Sequence, residues 1–204
     1  MDPALQSLSD QIDFASQRLL GTARIIDDSD LRAPSLLPGW TRAHVLAHLA
    51  RGADALRNLL IGVRTGQPKP AYASPEARAA AIEAGAQKPR GDLLDDVAAA
   101  DNAFRTVSRQ LPDEAWATEI DWVPGLDPFP AREVLIRRLV EIELHHVDLG
   151  AGYTAADWPD GFGVLRLPEP LRAQREERRT WDRTAPPLRK PRPLGKRPNR
   201  VMPW

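Results

Sequence analysis

The stretch AREVLIRRLVEIELHHVDLG, residues 131–150, decides how the rest of the chain is read. Its apolar residues surround most of a helical circumference, so a helix over roughly Ala131 to Gly150 must be the most buried of its fold. A helix of that kind needs partners on several sides, and the sequence N-terminal to it supplies them. Residues 3–25 place Leu5, Leu8, Ile12, Ala15 and Leu19 at helical spacing, and the turn formers of DDSDLRAPSLLPG stop that helix near Ile26. Thr41, after Pro38 and Gly39, is a suitable N-cap for a second long helix to about Thr65, where TGQPKP ends it. Ser74 and Pro75 open a short helix to about Ala84. Asp92 is the expected cap of a third long helix through Gln110, with Leu93, Leu94, Val97, Ala100, Phe104 and Val107 as its apolar stripe. Strand signals are absent from residues 1–150. The pattern predicts an all-α protein built on an antiparallel four-helix bundle.

Composition narrows the class further. The chain has 204 residues, 42% of them hydrophobic, and a formal net charge of zero. It has no run of about 18 apolar residues that would span a bilayer. Its start, MDPALQSLSDQIDFASQRLL, lacks the basic and apolar regions of a cleaved signal, so a cytoplasmic location is expected. With no cysteine there is no disulfide, no thiolate ligand and no thiol nucleophile of the protein's own. Any thiol chemistry has to arrive on a small molecule. Charge is uneven along the chain: 16 Lys/Arg against 24 Asp/Glu in residues 1–161, then 12 against 4 in residues 162–204. Eight of the 20 prolines also fall after residue 161. Residues 1–160 therefore read as the helical bundle, and residues 161–204 as an Arg/Pro-rich, largely irregular tail expected to be mostly disordered, with a short helix near residues 171–181 as its one periodic element. The basic tail, with Trp181 and Trp204, offers nucleic-acid binding as an alternative role. Charge runs of this kind are usually only solvated, and salt-insensitive or undetectable binding to duplex and single-stranded DNA would remove that role.

All four histidines lie in two helical segments, HVLAHLA (residues 44–50) and EIELHHVDL (residues 141–149). His48 falls at the edge of the apolar arc of Val45, Leu49, Leu56, Leu59 and Val63, with Gly52 and Ala55 below it. A core histidine bonded to a backbone carbonyl is the bland reading of such a residue. On the last helix, Glu141 and His145 stack four residues apart, while Glu143 and His146, three apart, form a competing pair. Spacing alone does not choose between them, and a plain Glu–His salt bridge would account for either. A four-helix bundle commonly holds metal with carboxylate and imidazole groups from facing helices. Two histidines and one glutamate with an open fourth position form a catalytic zinc arrangement. The HExxH motif, a P-loop and GxGxxG are all absent.

SLLPGWTRAHVLAHLARGADALRNLL (residues 35–60), TGQPKPAYASPEAR (65–78) and REVLIRRLVEIELHHVDLGAGYTAADWP (132–159) resemble the mycothiol-dependent maleylpyruvate isomerase family. The Gly-Trp-Thr-Arg and His-Val-Asp-Leu combination is its most specific part, and the resemblance runs from about residue 5 to 160. It implies a DinB-like bundle whose metal ligands are His48, Glu141 and His145. It leaves His44 and His146 as structural residues. Asp148, one turn beyond His145, looks like a partner that orients an imidazole from behind. The implied cofactors are zinc and mycothiol, and the implied reaction is cis–trans isomerisation of maleylpyruvate to fumarylpyruvate. In that scheme the metal holds mycothiol as a thiolate, the thiolate adds to the double bond, the single bond rotates, and the thiolate is eliminated. The implied partners are thus a small-molecule thiol and an electrophilic substrate. Transfer of mycothiol to other electrophiles, or a metal-binding bundle without catalysis, are the alternatives. Ligand type favours zinc over iron, manganese or nickel, and oligomeric state is not legible. The resemblance stops near Asp160, where the family's smaller C-terminal domain is expected. A frameshifted or truncated reading of that domain would explain the change in composition. Translation of the other two frames downstream of codon 160 tests this, and it fails if neither resumes the family pattern.

Overall fold

The computed structural model describes residues 2–122 and 127–181. Its long helices are α1 (Pro3–Ile25), α3 (Arg42–Thr65), α5 (Arg90–Arg109) and α6 (Glu133–Asp148), joined through the shorter α2 (Asp28–Arg32) and α4 (Pro75–Ala86). The described residues are all-α apart from a two-residue antiparallel pairing of β1 (Glu119–Ile120) with β2 (Phe129–Pro130). That ladder and α2 are absent from the sequence reading. Both are too short to carry a period, and both lie in proline-rich connections where turn signals dominate.

Helix ends follow their caps. Thr41 caps α3 by accepting from the His44 N–H, and Gly66 closes the same helix with φ +67°. Ser74 caps α4 with Pro75 behind it. The expected cap Asp92 lies inside the first turn of α5, which begins at Arg90 after Pro89. Proline fixes φ near the helical value and has no N–H, so the helix starts as soon as the chain leaves it.

The four long helices form the bundle, α3 lying against α5 and α6, and α1 against α6 and α5. Side-chain pairs give the directions. His48 meets His145 and the Leu49 carbonyl meets Arg138, so α3 and α6 are antiparallel. Ser16 meets Asp101 and Asp13 meets Arg105, so α1 and α5 are antiparallel as well. Arg51 with Asp96 and Arg64 with Gln110 set α3 and α5 parallel, and Arg18 with Glu143 and Thr22 with His146 set α1 and α6 parallel. Two parallel neighbours require one connection that returns along the bundle, and residues 66–89 provide it. Within them α4 packs back on α3, at a spot where a Cβ on Gly85 would come within 2.9 Å of the Ala47 Cβ. Only glycine allows that approach, and it brings α4 over the His48 end of α3.

As expected for an apolar helix, α6 is the most enclosed, with every residue from Arg138 to Asp148 buried. Its C-terminal end is held by Arg42, which donates to the carbonyls of Leu149 at 2.8 Å and Gly150 at 3.0 Å. Residues 161–181, within the segment expected to be mostly disordered, instead carry the end of α7 (Asp160–Gly163) and α8 (Leu171–Arg179), the latter where a short helix is expected. Leu171, Arg175 and Arg178 share one face of α8 and are buried, and α8 packs on α6. The rest of the tail, residues 182–204, lies outside the described residues. Among the described residues no helix is long and apolar enough to cross a membrane.

Candidate metal site

His48 on α3 and Glu141 and His145 on α6 converge in the buried seam between these antiparallel helices. Their Nε2, Oε2 and Nε2 atoms all lie within 4.8 Å of one another. His48 Nε2 is 3.0 Å from His145 Nε2 and 3.0 Å from Glu141 Oε2, and His145 Nε2 is 3.6 Å from the same oxygen. Ligands about 2.0–2.2 Å from a zinc ion at tetrahedral angles stand about 3.3 Å apart, so the triangle has the size such an ion requires. Glu141 Oε2 is buried with no directed hydrogen-bond donor, because the close His48 nitrogen is not aligned for one. A buried carboxylate oxygen without a donor is costly, and a cation at the centre of the triangle would satisfy it. The donor set therefore fits a divalent metal with an open position.

The protonation states suit the same task. Burial, and then the neighbouring His145, pull His48 down to about 4, leaving it neutral near pH 7. Burial pushes Glu141 up, but His145 and His48 outweigh it, and the group is held well below the usual carboxylate range. His145 Nδ1 faces Asp148 Oδ2 at 2.7 Å. Burial raises Asp148 too, and the hydrogen bond and charge of His145, with Arg178, bring it below its ordinary value. An ionised carboxylate only accepts, so His145 Nδ1 carries a proton and Nε2 is the nitrogen turned into the triangle. At His48, Arg78 Nη2 approaches Nδ1 at 3.2 Å. That contact places the His48 proton on Nε2, so ligation there requires the proton to leave, either to solvent or to Nδ1 as Arg78 turns away.

Beside the triangle lies a narrow pocket walled by Gly52, Leu56, Tyr72, Trp122 and Arg137, with His48 and Glu141 at its floor. The Arg137 guanidinium is stacked over Phe129 at 4.1 Å and Trp122 at 5.2 Å, and burial lowers its pKa. Arg78 lies over the Tyr72 ring at 5.6 Å. Trp40 packs against His48 with ring centroids 5.5 Å apart. Tyr72, Arg78, Trp122 and Arg137 escape the sequence reading, since no local spacing ties them to His48.

The remaining histidines are elsewhere. His44 closes the capping box of α3 through Thr41 and approaches Glu83 at 3.3 Å. His146 faces α1, contacting Thr22 Oγ1 at 2.8 Å and stacking on Tyr153 at 3.7 Å. Glu143 is on that side as well, paired with Arg18 and accepting from Tyr153 at 2.6 Å. Of the two Glu/His pairs that helical spacing leaves open, α3 places a histidine against Glu141 and His145 only.

The family described as the mycothiol maleylpyruvate isomerase N-terminal domain matches residues 13–150. No curated protein matches the chain. Among solved structures, the crystal structure of a mycothiol-dependent maleylpyruvate isomerase is similar at 32% identity and a TM-score of 0.74. A histidine-to-alanine mutant of a mycothiol-dependent maleylpyruvate isomerase is similar at 31% and 0.73. Each similarity covers 78% of this chain and 65% of the other, so the chain spans just under two thirds of the length of these structures. The family match extends over most of the bundle, the solved structures share its helical architecture, and the chain belongs to the mycothiol maleylpyruvate isomerase N-terminal domain family.

Proposed function

We propose that this chain is a zinc- and mycothiol-dependent cis–trans isomerase of the maleylpyruvate type, with His48, Glu141 and His145 as the metal ligands. The observation that carries the reading is the convergence of two imidazole nitrogens and one donorless carboxylate oxygen in a buried seam. When bound there, the metal supplies the positive charge that keeps a small-molecule thiol ionised and nucleophilic. The chain's own residues do the rest. His145, with its proton committed to Asp148, presents a fixed lone pair. Tyr72, Trp122 and Leu56 shield the seam from water, and Arg78 and Arg137 at its edge match the two carboxylates of maleylpyruvate.

Similarity of site and fold does not select the electrophile. The test is turnover of maleylpyruvate and of a generic electrophile, each with and without mycothiol, on zinc-loaded protein. Isomerisation of maleylpyruvate only when mycothiol is present is the expected result. Consumption of the electrophile with maleylpyruvate untouched would point to mycothiol S-transfer. Bound zinc with no thiol-dependent turnover would leave a metal-binding bundle without catalysis.

A further inference from the structure

We propose that Arg178, on α8, is a positioning residue for the metal site: it fixes the carboxylate of Asp148 and, through it, the imidazole of His145. The inference rests on the metal reading of His48, Glu141 and His145. Arg178 belongs to a run, REERR, that looks like a solvated charged face, yet only 4% of it is exposed. Its Nε donates to Asp148 Oδ1 at 3.1 Å and its Nη2 to Oδ2 at 3.0 Å, a two-point grip across 30 residues of sequence. The same Oδ2 holds His145 Nδ1. Two contacts fix the guanidinium itself, the Trp181 ring 4.9 Å away and Glu177 Oε2 at 3.1 Å. One turn earlier Arg175 donates to the carbonyls of Phe162 and Leu165, which locks α8 in place.

The geometry assigns Arg178 more than an anchoring role. Asp148 is fully buried at the C-terminal end of α6, where the helix dipole disfavours negative charge. His145 satisfies one of its oxygens, and the fork of Arg178 reaches both. Without the arginine the carboxylate is free to rotate. Rotation loosens the bond that holds the His145 ring by its Nδ1, and Nε2 is no longer directed at Glu141 and His48. Partners behind a metal-bound histidine are typically worth about 10- to 100-fold in metal affinity.

Zinc affinity, measured by competition with a chromophoric chelator, tests this on the full chain with Arg178→Leu, Arg178→Lys, Asp148→Asn and the Arg178→Leu/Asp148→Asn double variant. Arg178→Leu is expected to bind zinc about 10-fold more weakly. Arg178→Lys should recover part of the loss, because an ammonium restores the charge without the fork. The double variant should match Asp148→Asn alone, since Arg178 acts through that carboxylate. Nitrogen-15 spectra of the His145 ring without zinc should show the Nδ1–H tautomer in the wild type and a mixture in Arg178→Leu. An Arg178→Leu protein that is folded, binds zinc as the wild type does and keeps the tautomer would overturn the proposal, as would losses that simply add in the double variant. Should Arg178→Leu fail to fold, Arg178→Lys decides: wild-type affinity with a wild-type His145 spectrum rejects the role. A wild type that takes up no zinc rejects the metal reading instead, and the tautomer spectra then decide by themselves whether Arg178 holds His145.

Discussion

Two of the carboxylates buried in this bundle, Asp101 and Glu141, have surroundings that differ in kind. Asp101 on α5 accepts from Ser16 at 2.8 Å and from Arg138 at 3.0 Å on one oxygen, and faces Arg105 at 3.2 Å on the other. Glu141 on α6 faces two imidazoles and has an oxygen with no directed donor. Guanidinium groups are always protonated donors, and the Asp101 network they form with Ser16 ties α1, α5 and α6 together. The Glu141 cluster instead brings two imidazole nitrogens and a carboxylate oxygen, atom types that ligate metals, to one point. Asp101, closed by arginines and a serine, belongs to the scaffold, whereas Glu141, facing two imidazoles, is arranged for a cation from outside.

That contrast is breakable by substitution. Asp101→Ala leaves Arg138 buried and unpaired and should destabilise the fold by about 3–5 kcal/mol in urea denaturation, while any protein that folds still takes up zinc. Glu141→Gln should do the reverse, weakening zinc binding by more than about 100-fold, beyond the usual effect of an outer partner, with little loss of stability without metal. If the two variants behaved alike, the distinction between scaffold and site would fail.

A pH series sharpens it. His48 and His146 are both held at about 4 by burial, His48 next by His145 and His146 next by Arg18. Their unfolded values lie near 6.5, so between about pH 6.5 and 4 the unfolded chain binds more protons, and stability falls as pH falls. Each histidine contributes a loss on the order of 2 kcal/mol across that window. Glu143, raised by burial, works in the opposite direction below neutrality, because the folded carboxyl takes up its proton first. Denaturation from pH 7 to 4 without zinc should show the net decline, and His146→Gln should flatten it without removing zinc binding at pH 7. The smallest effect is expected from Thr41→Ala, which removes the α3 cap far from both carboxylates in its consequences: about 1 kcal/mol of stability, with zinc stoichiometry unchanged.

Much of this architecture was legible because the bundle is made of local signals. The caps Thr41 and Ser74 and the stops after Thr65 mark helix ends, and the continuous apolar surface of α6 announces its central place. Asp92 misled because a side chain able to cap does not do so when Pro89 starts the helix earlier. His48, Glu141, His145 and Asp148 came from the family resemblance, since helical spacing left Glu143 and His146 as an equal pair. Arg178 was hidden for a different reason. Its repeat with Leu171 and Arg175 is a helical face, but arginines on that face read as solvated until their carboxylate and carbonyl partners in distant segments are known.

The most direct measurement is metal content by elemental analysis of protein purified without added metal and again after zinc loading and dialysis, with His48→Ala and His145→Ala alongside. About one zinc per chain in the loaded wild type, lost in both variants, is the expected result. A folded wild type that retains no zinc after loading would contradict the metal site, and the two histidine segments would then be no more than packed core.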